Sequence, residues 1–153
     1  MSKKPPKAAA QLNSKIPKPD FSKIARENVS FSFKYLDLKS NSKFSIDEWQ
    51  ALGDWSGADA AAYLTALLER LKNVSSLSVN DFLHSRSPAL RSHKIDWDST
   101  SEVDGFTSLN EHLRDQEARQ FSVSSNEYGR VHGFLLDNCF CVVWLDPFHK
   151  LYP

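Results

Sequence analysis

The sequence predicts an α+β fold in which a small antiparallel β-sheet carries helices on one of its faces. Three observations predict this class: aromatic and polar residues alternate over 31–38, an apolar stripe runs along a helix-forming stretch at 58–72, and two apolar strands with a short turn between them close the chain. A period of two is typical of a half-buried strand, and apolar residues three and four positions apart are typical of an amphipathic helix. A chain of 153 residues can bury a core without disulfides or metal.

The first twenty residues differ in composition from the rest of the chain. They are rich in lysine, proline and alanine, contain no acid before Asp20, and hold almost no apolar anchor. A segment of this composition cannot bury enough apolar surface to order its backbone. We therefore expect residues 1–20 to be a disordered basic arm, either a solubilising tail or a tether to RNA or the ribosome. Residues 21–153 are expected to form a single domain.

The formal charge of zero conceals an asymmetry between this arm and the rest of the chain. Residues 20–153 hold 14 basic and 19 acidic residues. An acidic body argues against a general nucleic-acid binder, whereas the basic arm permits electrostatic attraction to RNA. The sequence has neither an apolar run of about 20 residues nor an apolar signal core, so we expect a cytoplasmic protein with no membrane partner.

The first half of the chain predicts a strand followed by helices. Residues 31–38 form the strand, and Ser45 with Glu48 has the spacing of a capping box that starts a short helix. Residues 58–72 form the longest helix. Its apolar stripe, which we expect to face the sheet, consists of Ala60, Leu64, Leu67, Leu68 and Leu71.

The middle of the chain alternates short helices with strands. Ser78 in "SVND" caps a short helix that ends near His84, because a serine hydroxyl can accept from a backbone N–H of the first turn. A strand is predicted over 90–97 and a short helix over 109–114. Residues 119–125, "RQFSVSS", are predicted to form the next strand.

The last two strands are predicted to form a hairpin that turns at 137–138, where an aspartate and an asparagine tolerate positive φ. This turn sets a register that pairs His132 with Val143 and Arg130 with Leu145. The apolar face, which we expect to receive the long helix, consists of Val131, Leu135, Phe140, Val142 and Trp144. The opposite face is expected to be open and to end in Arg130 and His132, a suitable place for an anionic ligand.

The two cysteines of the chain stand on the second strand of this hairpin. Cys139 and Cys141 point the same way about 6–7 Å apart, which is awkward for a disulfide. A Cys-x-Cys pair can bind a metal, but no second cluster of cysteine and histidine accompanies it. We expect reduced, buried thiols, no metal site and no cofactor.

The C-terminal segment "QFSVSSNEYGRVHGFLLDNCFCVVWLDPFHKLY" resembles the C-terminal half of the RelE-like toxins of bacterial toxin–antitoxin modules, the superfamily of RelE, YoeB, HigB and ParE. That half consists of a strand, a strand that begins with tyrosine and arginine, a short turn, an apolar strand, and a histidine followed by a terminal tyrosine. The resemblance covers 119–152 best and 31–153 loosely. It implies a RelE-like fold and a toxin that is neutralised by an antitoxin protein.

The resemblance also implies an active site. Arg130 stands at the family's arginine, and His149 and Tyr152 at its histidine and tyrosine. In the nuclease members such residues promote attack of a ribose 2′-OH on the neighbouring phosphate of mRNA, usually on the ribosome. Histidine suits the proton transfer because it titrates near neutrality, and the planar arginine donors suit the phosphorane. In a regular strand over 149–152, His149 and Tyr152 would point to opposite faces, so at most one of them would join Arg130 directly.

Four further residues are candidates for contacts with RNA. They are Lys150, His132, Arg91 and His93. The last two could add phosphate contacts, although charges on an edge strand also prevent aggregation. His132 could equally be a packed, hydrogen-bonded histidine. The alternative to an endoribonuclease is a non-enzymatic interaction module or a gyrase-directed inhibitor on the same fold.

Overall fold

The computed structural model describes residues 28–39, 42–45, 55 and 57–153. The expected arm at 1–20 and residues 46–48 of the predicted capping-box helix lie outside these ranges. The described residues form an α+β domain. Its elements, in chain order, are β1 (Ser30–Ser32), α1 (Gly57–Ser75), α2 (Val79–His84), β2 (His93–Lys94), a 3₁₀ helix (Trp97–Ser99), α3 (Glu111–Arg114), β3 (Ala118–Ser122), β4 (Arg130–Leu136) and β5 (Cys139–Asp146).

The sheet has five strands in the order β1-β5-β4-β3-β2. Strands β2 to β5 are antiparallel neighbours, but β1 lies parallel to β5, with Phe31 opposite Phe140. The prediction of an antiparallel sheet is therefore wrong at this edge, and the sheet is mixed. No tight turn joins β1 to β5, so the loop between them does not force the two strands to be antiparallel. The direction of β1 is set by its hydrogen bonds with β5 and the turn before it, where the Ser30 N–H donates to the Asn138 carbonyl oxygen at 2.8 Å.

Three predicted strands are shorter than the sequence indicates. After β1 the chain turns, and the Leu36 N–H donates to the Phe33 carbonyl oxygen at 3.1 Å, so 31–38 does not continue as a strand. The strand predicted over 90–97 is reduced to β2, and that over 119–125 to β3. In each case the alternation of apolar and polar residues continues past the end of the paired strand into a turn or an irregular segment.

The long helix is confirmed, but its buried face differs from the predicted stripe. Among its buried residues are Tyr63 and Leu67, whereas Leu64 is 48% exposed and Leu68 is 65% exposed. The helix is turned because Arg70 reaches the sheet: its Nε donates to the Val123 carbonyl oxygen at 3.0 Å. With the Arg70 guanidinium hydrogen-bonded on the side of the helix that faces the domain, Leu64 and Leu68 lie on the side that faces solvent.

The two short helices follow their caps. The Ser78 hydroxyl accepts from the Asp81 N–H at 3.0 Å, which confirms the predicted start of α2. Asn110 caps α3 by accepting from the Leu113 N–H at 3.1 Å. Both bonds satisfy backbone donors that a first helical turn leaves without partners. Within the described ranges, no helix is long and apolar enough to cross a membrane.

The C-terminal hairpin turns where the sequence predicts, and the Asp137 backbone there has φ 52°. The predicted register holds from the turn to Gly133, which pairs with Val142. A β-bulge then leaves Val143 without a paired residue on β4, so His132 lies opposite Trp144. The predicted pairs beyond this point are therefore wrong by one residue.

The bulge divides the apolar residues between two cores. Leu145 joins α1 and α2 on one face, whereas Trp144 moves to the other face, contrary to the predicted helix-facing set. That second face is not open. It is covered by residues from the segments 42–45 and 95–109 and by Leu151, which form a second core with Phe134 and Trp144. The polar end of this face is not part of that core.

The two cysteines are free thiols. Cys141 is buried in the second core, and Cys139 is partly exposed at the start of β5. Burial raises the pKa of Cys141 to about 11, and the neighbouring Cys139 contributes to the rise. At neutral pH this thiol is therefore protonated and behaves as a small apolar side chain.

Gly133 permits the close backbone approach that the bulge requires. A Cβ atom there would lie 2.0 Å from the Cys141 carbonyl oxygen. We expect Gly133→Ala to lower the free energy of unfolding by about 2–4 kcal/mol, because the strand cannot move away without losing its ladder. The matched control is Gly57→Ala, where no atom lies within 4 Å and the change should stay within about 1 kcal/mol. Urea denaturation measures both, and equal effects would contradict the bulge geometry.

Candidate functional site

A pocket of about 430 Å³ lies at the polar end of the second sheet face. It is lined by His93, Lys94, Asp96, Ser99, Gln120, Arg130, His132, Asp146, His149 and Tyr152. Five of the seven residues singled out from the sequence therefore meet in one place. The remaining two, Arg91 and Lys150, are not part of its lining.

Strand pairing places the floor of the pocket. One row of side chains crosses three strands, because His93 on β2 pairs with Gln120 on β3, and Gln120 pairs with His132 on β4. Arg130 and Asp146 pair in the next row outward. Paired residues of antiparallel strands project to the same face, so the two rows form one polar surface beside the second core.

The wall of the pocket is the C-terminal segment, which Asp146 holds in a turn. Its Oδ1 accepts from the Lys150 N–H at 2.8 Å and its Oδ2 from the Leu151 N–H at 3.0 Å. His149 adopts φ 56° within this turn. The segment is a turn and not a strand, so His149 and Tyr152 do not point to opposite faces as a strand would require. Both residues line the pocket.

Arg130 is the half-buried cation of the pocket. Its Nη1 donates to the Gly129 carbonyl oxygen at 3.2 Å, which holds the side chain beside the start of β4. Burial lowers the pKa of Arg130, the charge of Arg91 lowers it further, and Asp146 acts in the opposite direction. The Asp146 carboxylate is already occupied by backbone donors, so the guanidinium retains donors for an anionic ligand.

The two C-terminal residues offer different chemistry. His149 is exposed, and its ring makes no hydrogen bond with the described part of the chain, so both nitrogens are available. The Tyr152 hydroxyl oxygen accepts from the Asp96 N–H at 3.1 Å. This bond occupies an acceptor position of the phenol and leaves its proton to be donated into the pocket.

His132 and Asp146 form a buried pair below the pocket surface. The His132 Nε2 lies 3.3 Å from the Asp146 Oδ2, and the imidazole is fully buried. Burial lowers the pKa of His132 more than the contact with Asp146 raises it. Burial alone would raise the pKa of Asp146, but His132 and the two backbone donors outweigh it and lower the pKa. His132 is thus placed as a packed, hydrogen-bonded histidine that offers no surface atom to RNA.

Of the remaining three sequence candidates, only His93 lines the pocket. His93 is exposed on the edge strand, and its Nδ1 lies 2.8 Å from the Lys94 carbonyl oxygen. Arg91 is exposed, has φ 46°, and donates from Nε to the Pro88 carbonyl oxygen at 2.9 Å. The Lys150 side chain turns away from the pocket and donates to the Lys43 carbonyl oxygen at 3.2 Å.

Two buried polar residues of the site were missed from the sequence. Gln120 is 3% exposed and lies between the histidines of β2 and β4. Asp146 is 2% exposed and anchors the C-terminal turn. A buried carboxylate before a proline is a signal that could have indicated Asp146, because an acid at the end of an apolar strand requires donors nearby. Nothing local marks Gln120.

The buried pair makes stability depend on pH. The folded-state pKa of His132 is lowered, so the unfolded chain binds a proton first as the pH falls below 6.5, the ordinary value for histidine. The lowered pKa of Asp146 acts in the same direction below 3.8. We expect the free energy of unfolding to fall by up to about 1.4 kcal/mol per pH unit below 6.5.

The matched variant is His132→Gln, which keeps an amide donor for Asp146 but does not titrate. Its free energy of unfolding should be less dependent on pH between about 5 and 6.5. Urea denaturation at a series of pH values measures both proteins. A wild-type profile as flat as that of the variant over this range would contradict the neutral, buried state of His132.

Comparisons with known proteins add no further evidence. A scan against protein-family models, a search of curated proteins and a search of solved structures each found no match to this chain. In the part of the chain that the structure describes, no group of three or more histidine, cysteine, aspartate or glutamate residues is arranged to hold a metal ion. Function is therefore inferred from the geometry and chemistry of the pocket.

Proposed function

We propose that the protein is a RelE-like toxin of a toxin–antitoxin module, an endoribonuclease that cleaves mRNA in the cytoplasm and is neutralised by an antitoxin protein. One observation carries the proposal: Arg130, His149 and Tyr152, the residues that the resemblance assigns to the active site, line a single pocket together with His93. They reach it from a strand and from a turn that a separate residue, Asp146, holds in place.

The pocket contains the groups that phosphodiester transfer requires. In the proposed reaction, His149 takes the proton of a ribose 2′-OH while its oxygen attacks the adjacent phosphorus. Arg130 donates to the equatorial oxygens of the phosphorane. Tyr152 gives its proton to the departing 5′ oxygen, and the Asp96 N–H stabilises the phenolate that forms. The products are a 2′,3′-cyclic phosphate and a 5′-hydroxyl end.

The charge distribution favours an mRNA substrate that a ribosome presents to the protein over free RNA that the protein binds from solution. Residues 20–153 carry more acids than bases. Among the described residues, few basic side chains besides Arg130 lie near the pocket: Arg91, His93 and Lys94, of which Lys94 pairs with Glu117 at 2.5 Å. Phosphate contacts dominate affinity for free nucleic acid. A ribosome that presents mRNA would supply the affinity that the body lacks, and the basic arm would add electrostatic attraction.

The test is analysis of RNA ends produced by the purified protein. A short mRNA, free or on translating ribosomes, should yield fragments with 2′,3′-cyclic phosphate and 5′-hydroxyl ends. A matched RNA with a 2′-deoxy nucleotide at the mapped position should not be cut there. Cleavage that persists at the deoxy position, or the absence of cleavage in both formats, would contradict the proposal.

A second candidate is a non-enzymatic interaction module, or a gyrase-directed inhibitor, on the same fold. The exposed pair Leu64 and Leu68 on α1 favours it, because neighbouring apolar side chains in solvent are typical of a surface that a protein partner covers. Under this alternative, replacing both leucines by serine abolishes toxicity, whereas Arg130→Ala retains it. The endoribonuclease proposal expects Arg130→Ala to abolish toxicity.

A further inference from the structure

Two buried hydrogen-bond acceptors belong to paired residues in the floor of the pocket. They are the Gln120 Oε1 and the His132 Nδ1, and neither has a hydrogen-bond partner among the described residues. Their residues are paired across β3 and β4, and both line the pocket. Because leaving a buried polar atom without a partner costs about 1–3 kcal/mol, two such atoms on adjacent residues require a physical account.

The state of His132 follows from its contact with Asp146. The aspartate is ionised, since its pKa is lowered, and an ionised carboxylate can only accept. The His132 Nε2 therefore carries the hydrogen in their 3.3 Å contact. Burial keeps the ring neutral, so its Nδ1 has a lone pair and no hydrogen. This atom requires a donor.

The state of His93 decides which way the Gln120 amide points. The His93 Nδ1 donates to the Lys94 carbonyl oxygen at 2.8 Å. The His93 Nε2 lies 2.8 Å from the Gln120 Nε2, which donates to it while the ring is neutral. If the ring becomes an imidazolium, two donors would face each other, and the amide must turn to present its oxygen.

Because Gln120 and His132 are paired across β3 and β4, turning the amide can supply a donor to each of the two buried acceptors. The Gln120 oxygen then accepts from the His93 Nε2–H, and the Gln120 NH₂ moves to the side of His132, whose Nδ1 lacks a donor. The result is a continuous chain of hydrogen bonds from exposed His93 through Gln120 and His132 to Asp146. Such a chain is complete only when His93 is charged.

We propose that binding of a phosphate group in the pocket leads His93 to take up a proton from solvent and turns the Gln120 amide, so that ligand binding and proton uptake are coupled. The inference rests on the proposed function only in naming the ligand as an RNA phosphate; the coupling applies to any phosphate-like anion. The titratable and charged groups that share the pocket with His93 are Lys94, Asp96, Arg130, His132, Asp146, His149 and Tyr152.

The coupling assigns His93 a role distinct from that of His149. In both settings of Gln120, each ring nitrogen of His93 is held by a protein group, so His93 provides charge and does not exchange a proton with the substrate. Proton transfer is left to His149, whose nitrogens are available. Gln120 acts through His93 and is a positioning residue. A neutral ligand would not complete the chain, which makes the pocket selective for anions.

The test is ¹⁵N NMR of histidine-labelled protein titrated with inorganic sulfate, a dianion that does not itself titrate. At pH about 7.5, where an ordinary histidine is mostly neutral, the His93 Nε2 should show no attached hydrogen before sulfate and an attached hydrogen at saturation. His112, which is exposed on α3, serves as the internal control and should not change. Sulfate binding without protonation of His93, or no sulfate binding at all, would overturn the proposal.

Two variants separate the coupling from simple folding defects. Gln120→Met keeps the side-chain volume but removes the amide; it should abolish the sulfate-linked protonation and weaken sulfate binding by about two- to tenfold, the range of one hydrogen bond. Gln120→Glu offers only acceptors and should leave His93 doubly protonated before sulfate is added. The role of Gln120 would be contradicted if His93 still took up a proton on sulfate binding in the Gln120→Met variant as it does in the wild type. A neutral His93 in the Gln120→Glu variant would contradict it as well.

These measurements use no RNA, so their outcome is independent of cleavage. If His93 takes up a proton on sulfate binding while the protein cuts no RNA, the pocket is a phosphate site and the proposed nuclease activity is wrong. If RNA is cut while His93 stays neutral with sulfate bound, the activity stands and the coupling is wrong.

Discussion

Replacement of Arg130 by alanine is expected to lower the rate of RNA cleavage by roughly 10²–10⁴-fold while the domain stays folded. The guanidinium lies at the pocket and donates within the fold only to the neighbouring Gly129 carbonyl oxygen, so its loss removes stabilisation of the phosphorane more than of the structure. His149→Ala should have an effect of similar size, because the exposed ring has no structural partner among the described residues.

Cleavage rates and thermal midpoints of the purified variants measure this together. Arg86→Ala is the matched control, since Arg86 is exposed and does not line the pocket; its activity should be unchanged. If the Arg130 and His149 variants stay folded and fully active, the site is misplaced. If they lose stability in parallel with activity, the polar end of the hairpin is structural.

Trp144→Ala is expected to lower the free energy of unfolding by roughly 3–5 kcal/mol. The indole is 4% exposed, stacks on Phe44 with ring centroids 4.3 Å apart, and meets the edge of Phe106 at 4.8 Å. Truncation leaves a cavity in the second core that surrounding aromatic side chains cannot fill. Activity should fall only through the unfolded fraction, so cleavage per folded molecule should remain close to that of wild type.

Urea denaturation provides the measurement, and Phe33→Ala provides the control. Phe33 is 49% exposed, so its truncation should cost about 1 kcal/mol or less. If Trp144→Ala is no more destabilising than Phe33→Ala, the second core is not packed around this indole, and the register shift that places it there is wrong.

Features set by neighbouring residues could be predicted from the sequence. The Ser78 cap depends on a backbone donor three residues away, and the turn at 137–138 depends on two residues that accept left-handed backbone. The long helix was predicted for the same reason. Its rotation was not, because the contact of Arg70 with Val123 joins residues 53 positions apart.

Features set by distant pairing could not be predicted. A one-residue bulge moves Trp144 and Leu145 to opposite faces, and a regular alternation gives no sign of it. The parallel direction of β1 depends on pairing with a strand more than 100 residues later. These errors change which side chains form the core, although the order of the elements is as expected.

The candidate site was predicted only in part, because some of its residues are brought together by pairing between distant segments. The sequence places Arg130 at the polar end of the hairpin, and the resemblance adds His149 and Tyr152; all three line the pocket. Gln120 and Asp146 were missed because their roles arise only after three strands pair and the C-terminal segment folds back. Polar residues are usually exposed, so the sequence did not indicate that Gln120 and Asp146 are buried.

The measurement that most directly tests the central claim is controlled expression in bacteria with simultaneous mapping of mRNA 5′ ends. The wild-type protein is predicted to arrest growth and to generate new 5′-hydroxyl ends in translated mRNA, while Arg130→Ala, expressed at the same level and folded, does neither. Growth arrest without new ends, or arrest by wild type and Arg130→Ala alike, would contradict an endoribonuclease and support the interaction module.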